Sequence, residues 1–300
     1  MKPAPALVAV MVLCCLGISA RGGQQTVVEG REEVLCLDGL GDPARWGPAE
    51  CTVEESKELK AQGRPTLHLH IPVDHLAGEK EYPIGWPRMY ADLKEEEKGW
   101  TDFERFEFLA YATMSRKRAP RQALSFQVLC PDRRNAFHRN LSEIQLGQWV
   151  RLSIPIRSIK SAKDAARLGF NISESDYKHG DKLDFYLGAF RLVRAAEFGL
   201  TSLKVLNPVL YQDRPTLKVE LDVAGPPQKV AQGLPLALRT GERTIRLNAL
   251  AVQRGLQSVE VDLREQKLEP GAYTLIAFDD DPARGKVAPF RLVESPWQEK

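Results

Sequence analysis

The stretch HGDKLDFYLGAFRLVR, residues 179–194, reads as a long strand that closes a β-rich domain. Leu183, Phe185 and Leu187 share one parity, and Phe190 and Leu192 share the other. Successive side chains on a strand point to opposite faces, so a change of parity turns the apolar set outward unless a residue is inserted. A β-bulge near Gly188 is the economical solution, and glycine tolerates the positive φ that bulges use.

Upstream, the chain breaks into short alternating runs. In Thr66–Val73 the residues Leu67, Leu69, Ile71 and Val73 share one face, with Thr66, His68, His70 and Pro72 on the other. This is the period-two pattern of a half-buried strand. Further strands are expected at Val34–Leu37, Phe106–Ala110, Ala123–Cys130, Gly147–Ile156 and Gly169–Ile172. Thr52 and Glu55 have capping-box spacing, which predicts a short helix ending by Gly63. Ser161 and Asp164 suggest a second capped turn. About eight short strands with long loops and two helical turns predict a jelly-roll β-sandwich over residues 21–197.

Downstream, residues 198–203 read as a linker. A second set of strands follows over residues 204–295: Leu217–Val223, Leu234–Arg239, Thr244–Leu250, Ser258–Leu263, Tyr273–Phe278 and Ala288–Val293. Within LEPGAY, Leu268–Tyr273, the spacing resembles the tyrosine corner of immunoglobulin-like sandwiches, where the phenol bonds back to upstream backbone. The fold class expected is therefore all-β, a jelly roll followed by a smaller immunoglobulin-like sandwich, with a tail at 296–300.

Residues 1–20 have the form of a secretory signal peptide. Lys2 supplies the charge, Ala6–Ile18 the apolar run, and Ser19 and Ala20 the small residues for cleavage. Roughly 13 apolar residues fall short of the ~20 that cross a bilayer. No membrane span is expected once the signal is removed, and the destination is the periplasm, the cell envelope or the medium. Lys plus Arg number 42 against 40 for Asp plus Glu, so the basic excess typical of nucleic-acid binders is missing. Cys36, Cys51 and Cys130 remain after signal removal, which allows one bridge at most. Cys36 with Cys51 is the candidate pair, against three reduced thiols. Asn140-Leu-Ser and Asn171-Ile-Ser are acceptors in a host that glycosylates asparagine.

No G-x-S-x-G, H-E-x-x-H or glycine-rich phosphate loop is present. Asp102, Glu104, Glu107 and Asp184 lie on or near strands, but nothing in their spacing selects a catalytic pair. His68 and His70 would sit on one strand face about 7 Å apart and need a third ligand to hold a metal. Asp279, Asp280 and Asp281 could join a calcium site, but the EF-hand spacing is absent, so no cofactor is expected. The aromatic set is more suggestive. Tyr82, Trp86 and Tyr90 are expected in a Pro/Gly-rich loop, and with Arg88 and Asp92 nearby they combine flat apolar planes with polar neighbours, which suits a sugar ring.

YPIGWPRMYADL (82–93) followed by GWTDFERFEFLAYA (99–112) resembles secreted bacterial jelly-roll modules of the carbohydrate-binding and galactose-binding-like type. LGQWVRLSIPI (146–156) and DKLDFYLGAFRLVR (181–194) are similar to later strands of those modules. The resemblance covers about Val34 to Arg194. It implies a non-catalytic module of the kind attached to polysaccharide-degrading enzymes, with Trp100 and Trp149 at positions that support the fold. Many such modules carry Asp or Asn at the bulge, where this chain has Gly188. The expected function is binding of polysaccharide or glycoconjugate through the jelly roll. The alternatives are a structural or protein-interaction component of the cell envelope and a divergent carbohydrate-active enzyme.

Overall fold

The computed structural model describes residues 20–21, 24–77, 85–131, 137–279, 281 and 284–297. The signal-peptide stretch through Ser19, Tyr82 and Asp280 lie outside the described residues. Thirteen strands build the first unit: β1 (Ala20–Arg21), β2 (Gln24–Glu29), β3 (Glu32–Cys36), β4 (Gly47–Ala49), β5 (Thr52–Ala61), β6 (Arg64–Pro72), β7 (Arg88–Asp92), β8 (Arg105–Met114), β9 (Ser125–Leu129), β10 (Phe137–Asn140), β11 (Val150–Pro155), β12 (Arg167–Asn171) and β13 (Lys182–Ala195). They form two antiparallel sheets. One is five-stranded, in the order β10-β9-β12-β7-β4. The other is eight-stranded and assembled around β13.

β13 explains the larger sheet. One edge pairs with β8 along its length, while the other pairs first with β6 and then with β3. The register against β8 shifts between Gly188 and Arg191, so the expected bulge is present. It returns Phe190 and Leu192 to the core face beside Leu183, Phe185 and Leu187. The positive φ falls on Ala189 (53°) rather than on the glycine. Gly188 is required for space instead: a Cβ there would lie 3.0 Å from Thr66 Cγ2 and 3.2 Å from Ala61 Cβ. Thr66, expected on the open face, is consequently buried and donates its hydroxyl to Leu59 O at 2.7 Å.

The two sheets close over an aromatic core. Phe106, Phe108, Phe126, Phe170 and Phe190 contact one another at ring-centroid distances of 5.3–6.5 Å. Trp100 stacks on Phe106 at 4.9 Å and donates its indole N–H to Glu97 O. Trp149 is half-buried and packs against Tyr111 at 5.4 Å, so both tryptophans serve the fold.

Four expectations need correction. Thr52–Ala61 is not a helix but β5, an edge strand against β6. The turn at Ala162–Asp164 is a single 3₁₀ turn, and Ser161 does not cap it. Residues 198–203 are not a linker: β14 (Gly199–Val205) is already the first strand of the second unit. Cys36 and Cys51 are both free. Cys36 lies on β3 opposite Arg191, whereas the Cys51 thiol points toward the five-stranded sheet and donates to Arg88 O at 3.3 Å. Burial pushes both thiols above their ordinary pKa.

The second unit continues with β15 (Val209–Tyr211), β16 (Thr216–Ala224), β17 (Leu236–Thr240), β18 (Arg243–Arg246), β19 (Gly255–Asp262), β20 (Gly271–Ala277) and β21 (Lys286–Val293). A three-stranded sheet, β14-β16-β19, faces a five-stranded one, β15-β21-β20-β17-β18. Leu217, Val219, Leu221 and Val223 alternate into its core as the sequence predicts. Tyr273 donates its hydroxyl to Glu269 O at 2.8 Å, the bond expected of the corner. The described residues thus form an all-β protein with two separate hydrophobic cores. Among the described residues no helix is long and apolar enough to cross a membrane.

Glu104 ties the two units together. Its Oε2 accepts from Ala195 N at 2.9 Å, and its Oε1 accepts from Gly225 N at 2.9 Å. Arg254 reaches back from the second unit to donate to Thr101 O at 2.6 Å. A cleft of about 750 Å³ lies beside these contacts, floored by Phe103, Ile156, Ile159 and Val223.

Candidate functional site

Paired residues in an antiparallel sheet share a face. On β7, Met89 and Ala91 are buried, so Arg88, Tyr90 and Asp92 stand on the outer face of the five-stranded sheet. The register extends this face sideways. Tyr90 lies opposite Gly47 on β4 and Gly169 on β12, and Gly169 in turn lies opposite Gln127 on β9, which faces His138 on β10. One row back stand Arg88, Asn171, Ser125 and Asn140; one row forward stand Asp92, Arg167 and Leu129.

Glycine at 169 is what shapes this surface. A Cβ there would sit 2.4 Å from Tyr90 Cε1 and 2.5 Å from Cδ1. The Tyr90 ring therefore lies across β12 instead of standing upright. Its hydroxyl reaches toward Gln127 and donates to Oε1 at 3.4 Å. Trp86, 45% exposed, precedes β7 at one end of the surface. The Arg88 guanidinium carbon lies 5.0 Å from the Trp86 ring centroid, and Arg88 Nη1 donates to Trp86 O at 3.0 Å. That cation–π contact fixes the indole in orientation while leaving a large part of it open to solvent.

At the other end, Arg167 Nε and Nη2 donate to the two Asp92 oxygens at 2.5 and 3.2 Å. The Arg167 hydrogen bond holds the Asp92 carboxyl below the usual carboxylate range. From Arg88 to Asp92 is four residues of strand, roughly 13 Å. A strip of that length holds flat aromatic area between two arginine-bearing ends. Gln127 supplies an amide, His138 an imidazole and Arg167 a guanidinium whose geometry is fixed by Asp92. Such groups can bond hydroxyls laid along the strip.

Four of the five sequence candidates thus fall together: Trp86, Arg88, Tyr90 and Asp92. Tyr82 lies outside the described residues. Gly169, Gln127, His138 and Arg167 were not singled out by the sequence. Gly169 and Arg167 meet β7 and β9 across 38 to 79 residues of chain, and no local pattern announces that pairing.

The remaining candidate groups have structural partners. Glu104 joins the two units as described, and Glu107 lies in an arginine network on the larger sheet. Asp279 pairs with Arg246 at 3.4 Å, and Asp281 with Arg284 at 2.6 Å, so the described carboxylates of that turn face arginines. Asn171 is buried, which keeps it from glycosylation in the folded chain.

No protein-family model matches the sequence, and no curated protein matches it. Among solved structures, a β-1,2-glucanase from Parabacteroides distasonis aligns with 85% of this chain and 38% of its own, at 11% identity and a TM-score of 0.40. This chain therefore spans well under half of that protein's length. The C-terminal family 22 carbohydrate-binding module of Clostridium thermocellum Xyn10B aligns over 53% of this chain and 92% of its own, at 12% identity and a TM-score of 0.29. A CBM27-1 from Caldicellulosiruptor saccharolyticus, solved with mannohexaose, aligns over 51% and 95%, at 15% identity and a TM-score of 0.30. These likenesses are distant. The sandwich is defined by its own sheet order and register.

Proposed function

We propose that the protein is an exported, non-catalytic binding protein that takes polysaccharide or glycoconjugate on the outer face of the five-stranded sheet. The immunoglobulin-like second sandwich acts as an accessory unit. The observation that carries this reading is the Tyr90 ring laid across Gly169, between the stacked Trp86–Arg88 pair and the Asp92–Arg167 pair. Sugar rings offer apolar C–H faces to such planes and hydroxyls to the groups around them. The polar partners are already fixed by one another, so little side-chain freedom is lost on binding.

The test is a glycan array followed by affinity electrophoresis in the polysaccharides that score. Trp86→Ala and Tyr90→Ala should each weaken binding about 10- to 30-fold, as befits an aromatic anchor worth ~1.4–2 kcal/mol. Both variants should keep the wild-type unfolding transition. Binding to no polysaccharide, or binding indifferent to both changes, would sink the reading.

A protein-interaction role has its own support at the far unit. Val209 (52% exposed), Tyr211 (37%) and Trp297 (74%) leave an apolar patch beside the short strand β15, with Tyr211 and Trp297 at 5.4 Å. Tyr211→Ser with Trp297→Ser should abolish self- or partner association in sedimentation velocity if this patch is an interface. A double variant that associates as strongly as the wild type, or a wild type that associates with nothing, removes it.

A further inference from the structure

On the opposite side of the first sandwich, His68 and His70 point outward from β6, as the alternation predicts. β13 brings Asp184 directly opposite His70. One donor atom from each of these three residues lies within 4.8 Å of the other two. His68 Nε2 is 2.7 Å and His70 Nδ1 is 2.8 Å from the same oxygen, Asp184 Oδ1. The third ligand that the pair of histidines needs is therefore supplied by a strand more than a hundred residues later.

We propose that His68, His70 and Asp184 form a binding site for one divalent transition ion of the zinc class. Two imidazoles and one carboxylate make a donor set suited to zinc, and also to copper(II) and nickel(II), while calcium and magnesium prefer all-oxygen shells. The fourth position opens to solvent, because the three side chains are 17%, 34% and 25% exposed. Donors around a tetrahedral zinc stand roughly 3.4 Å apart, given bonds of about 2.0–2.2 Å. The Asp184 oxygen would thus retreat by roughly 0.6–0.7 Å from each nitrogen, which a rotation about its χ angles supplies.

A second observation points the same way. The other nitrogen of His68, Nδ1, lies 3.0 Å from Glu54 Oε1. His68 thus has a carboxylate at each ring nitrogen. With a cation beside Nε2 the arrangement is consistent: Nδ1–H donates to Glu54, and the Nε2 lone pair and Asp184 both turn to the ion. A carboxylate behind a ligating histidine is the usual means of fixing its tautomer and orientation. Tyr186 adds to this by stacking on the His68 ring at 4.5 Å and 6°. All three ligands sit on paired strands rather than loops, so the constellation is held before an ion arrives. The charges balance, since two carboxylates surround one dication.

The experiment is calorimetric titration of zinc into the chelator-stripped full chain, with cobalt(II) absorption as the spectroscopic readout. The expected result is one zinc per chain at micromolar or tighter affinity, and visible cobalt bands typical of a four- or five-coordinate site. His70→Ala and Asp184→Asn should weaken zinc at least 100-fold. The positioning variant Glu54→Gln should weaken it about 10- to 100-fold. His179→Ala and Cys51→Ser, which remove other potential ligands, should bind as the wild type does. No zinc binding by the wild type, or wild-type affinity in both His70→Ala and Asp184→Asn, overturns the proposal. So does calcium displacing zinc at equal concentration. Thermal unfolding of each stripped variant confirms that a loss of binding is not a loss of fold.

Discussion

Glu107→Ala unfolds at a much lower denaturant concentration than the wild type, having lost about 3–5 kcal/mol. Glu107 lies on β8 with its side chain only 6% exposed. Its Oε1 accepts from Arg105 Nε at 2.7 Å. Its Oε2 accepts from Arg191 Nη2 at 2.8 Å and Nε at 3.0 Å. Arg191 is itself 8% exposed, and β13 places it opposite Glu107 immediately after the bulge. Removing the carboxylate leaves Arg105 and Arg191 with only Glu32 and Glu29 at their outer ends, and the more exposed Arg151 loses its 3.4 Å bond to Oε2 as well. The cost is that of an uncompensated buried charge, not of one lost contact. Fluorescence of the buried Trp46 and Trp100 reports the transition of this sandwich. A change under about 1 kcal/mol would show that water and the outer glutamates replace Glu107.

The same network fixes the pH dependence. Burial alone would raise the Glu107 carboxyl, but hydrogen bonds from Arg105 and Arg191 outweigh it and hold the group below the ordinary range. A carboxylate depressed in the folded state contributes stability that is fully present above its unfolded pKa of about 4.3. That contribution is lost as pH falls through the lower folded value. Glu33, Glu97 and Asp184 are depressed as well, so acid unfolding of the first sandwich sets in below about pH 4. In Glu107→Gln the acid limb of the stability curve should flatten.

Phe170→Ala is the second large effect. Phe170 is fully buried and contacts Phe126 at 5.3 Å, Phe108 at 5.4 Å and Trp46 at 5.7 Å. Truncation removes the ring from the centre of the aromatic core and should cost about 3–5 kcal/mol. It also reaches the candidate site, because Gly169 beside it seats the Tyr90 ring. The proposed polysaccharide binding should therefore weaken in Phe170→Ala even below its unfolding temperature, although Phe170 lies in the core and not on the outer face. Phe170→Leu retains most of the volume and should lose less than half as much stability. Equal stability of the alanine variant and the wild type would contradict the core assignment.

The parity change in residues 183–192 was enough to place the bulge, because a buried face admits only one register. The reason for glycine at 188 was not legible, since it lies in Thr66 and Ala61 on neighbouring strands. Thr52–Ala61 misled because the Thr52 and Glu55 capping-box spacing also fits a strand. Val53, Ser56 and Leu59 are the half-buried positions, a spacing near that of a helix. The strand is at the sheet edge and its register slips between Ser56 and Ala61, which erases the alternation. In the candidate site, Arg88, Tyr90 and Asp92 were singled out as parts of an aromatic, Pro/Gly-rich loop, whereas the structure sets them on one face of strand β7. Gly169, Gln127 and Asp184 join their partners only through long-range pairing, which single-strand periodicity does not encode.

β15 runs parallel to β21, pairing Val209–Tyr211 with Arg291–Val293, whereas every other strand pair of the second unit is antiparallel. The chain enters β15 at one end of this pair and leaves β21 at the other. Tension applied at the start of β15 and at the end of β21 would therefore load the pair in shear. Its hydrogen bonds share the force and yield together, instead of opening one at a time as in a hairpin peeled from its tip.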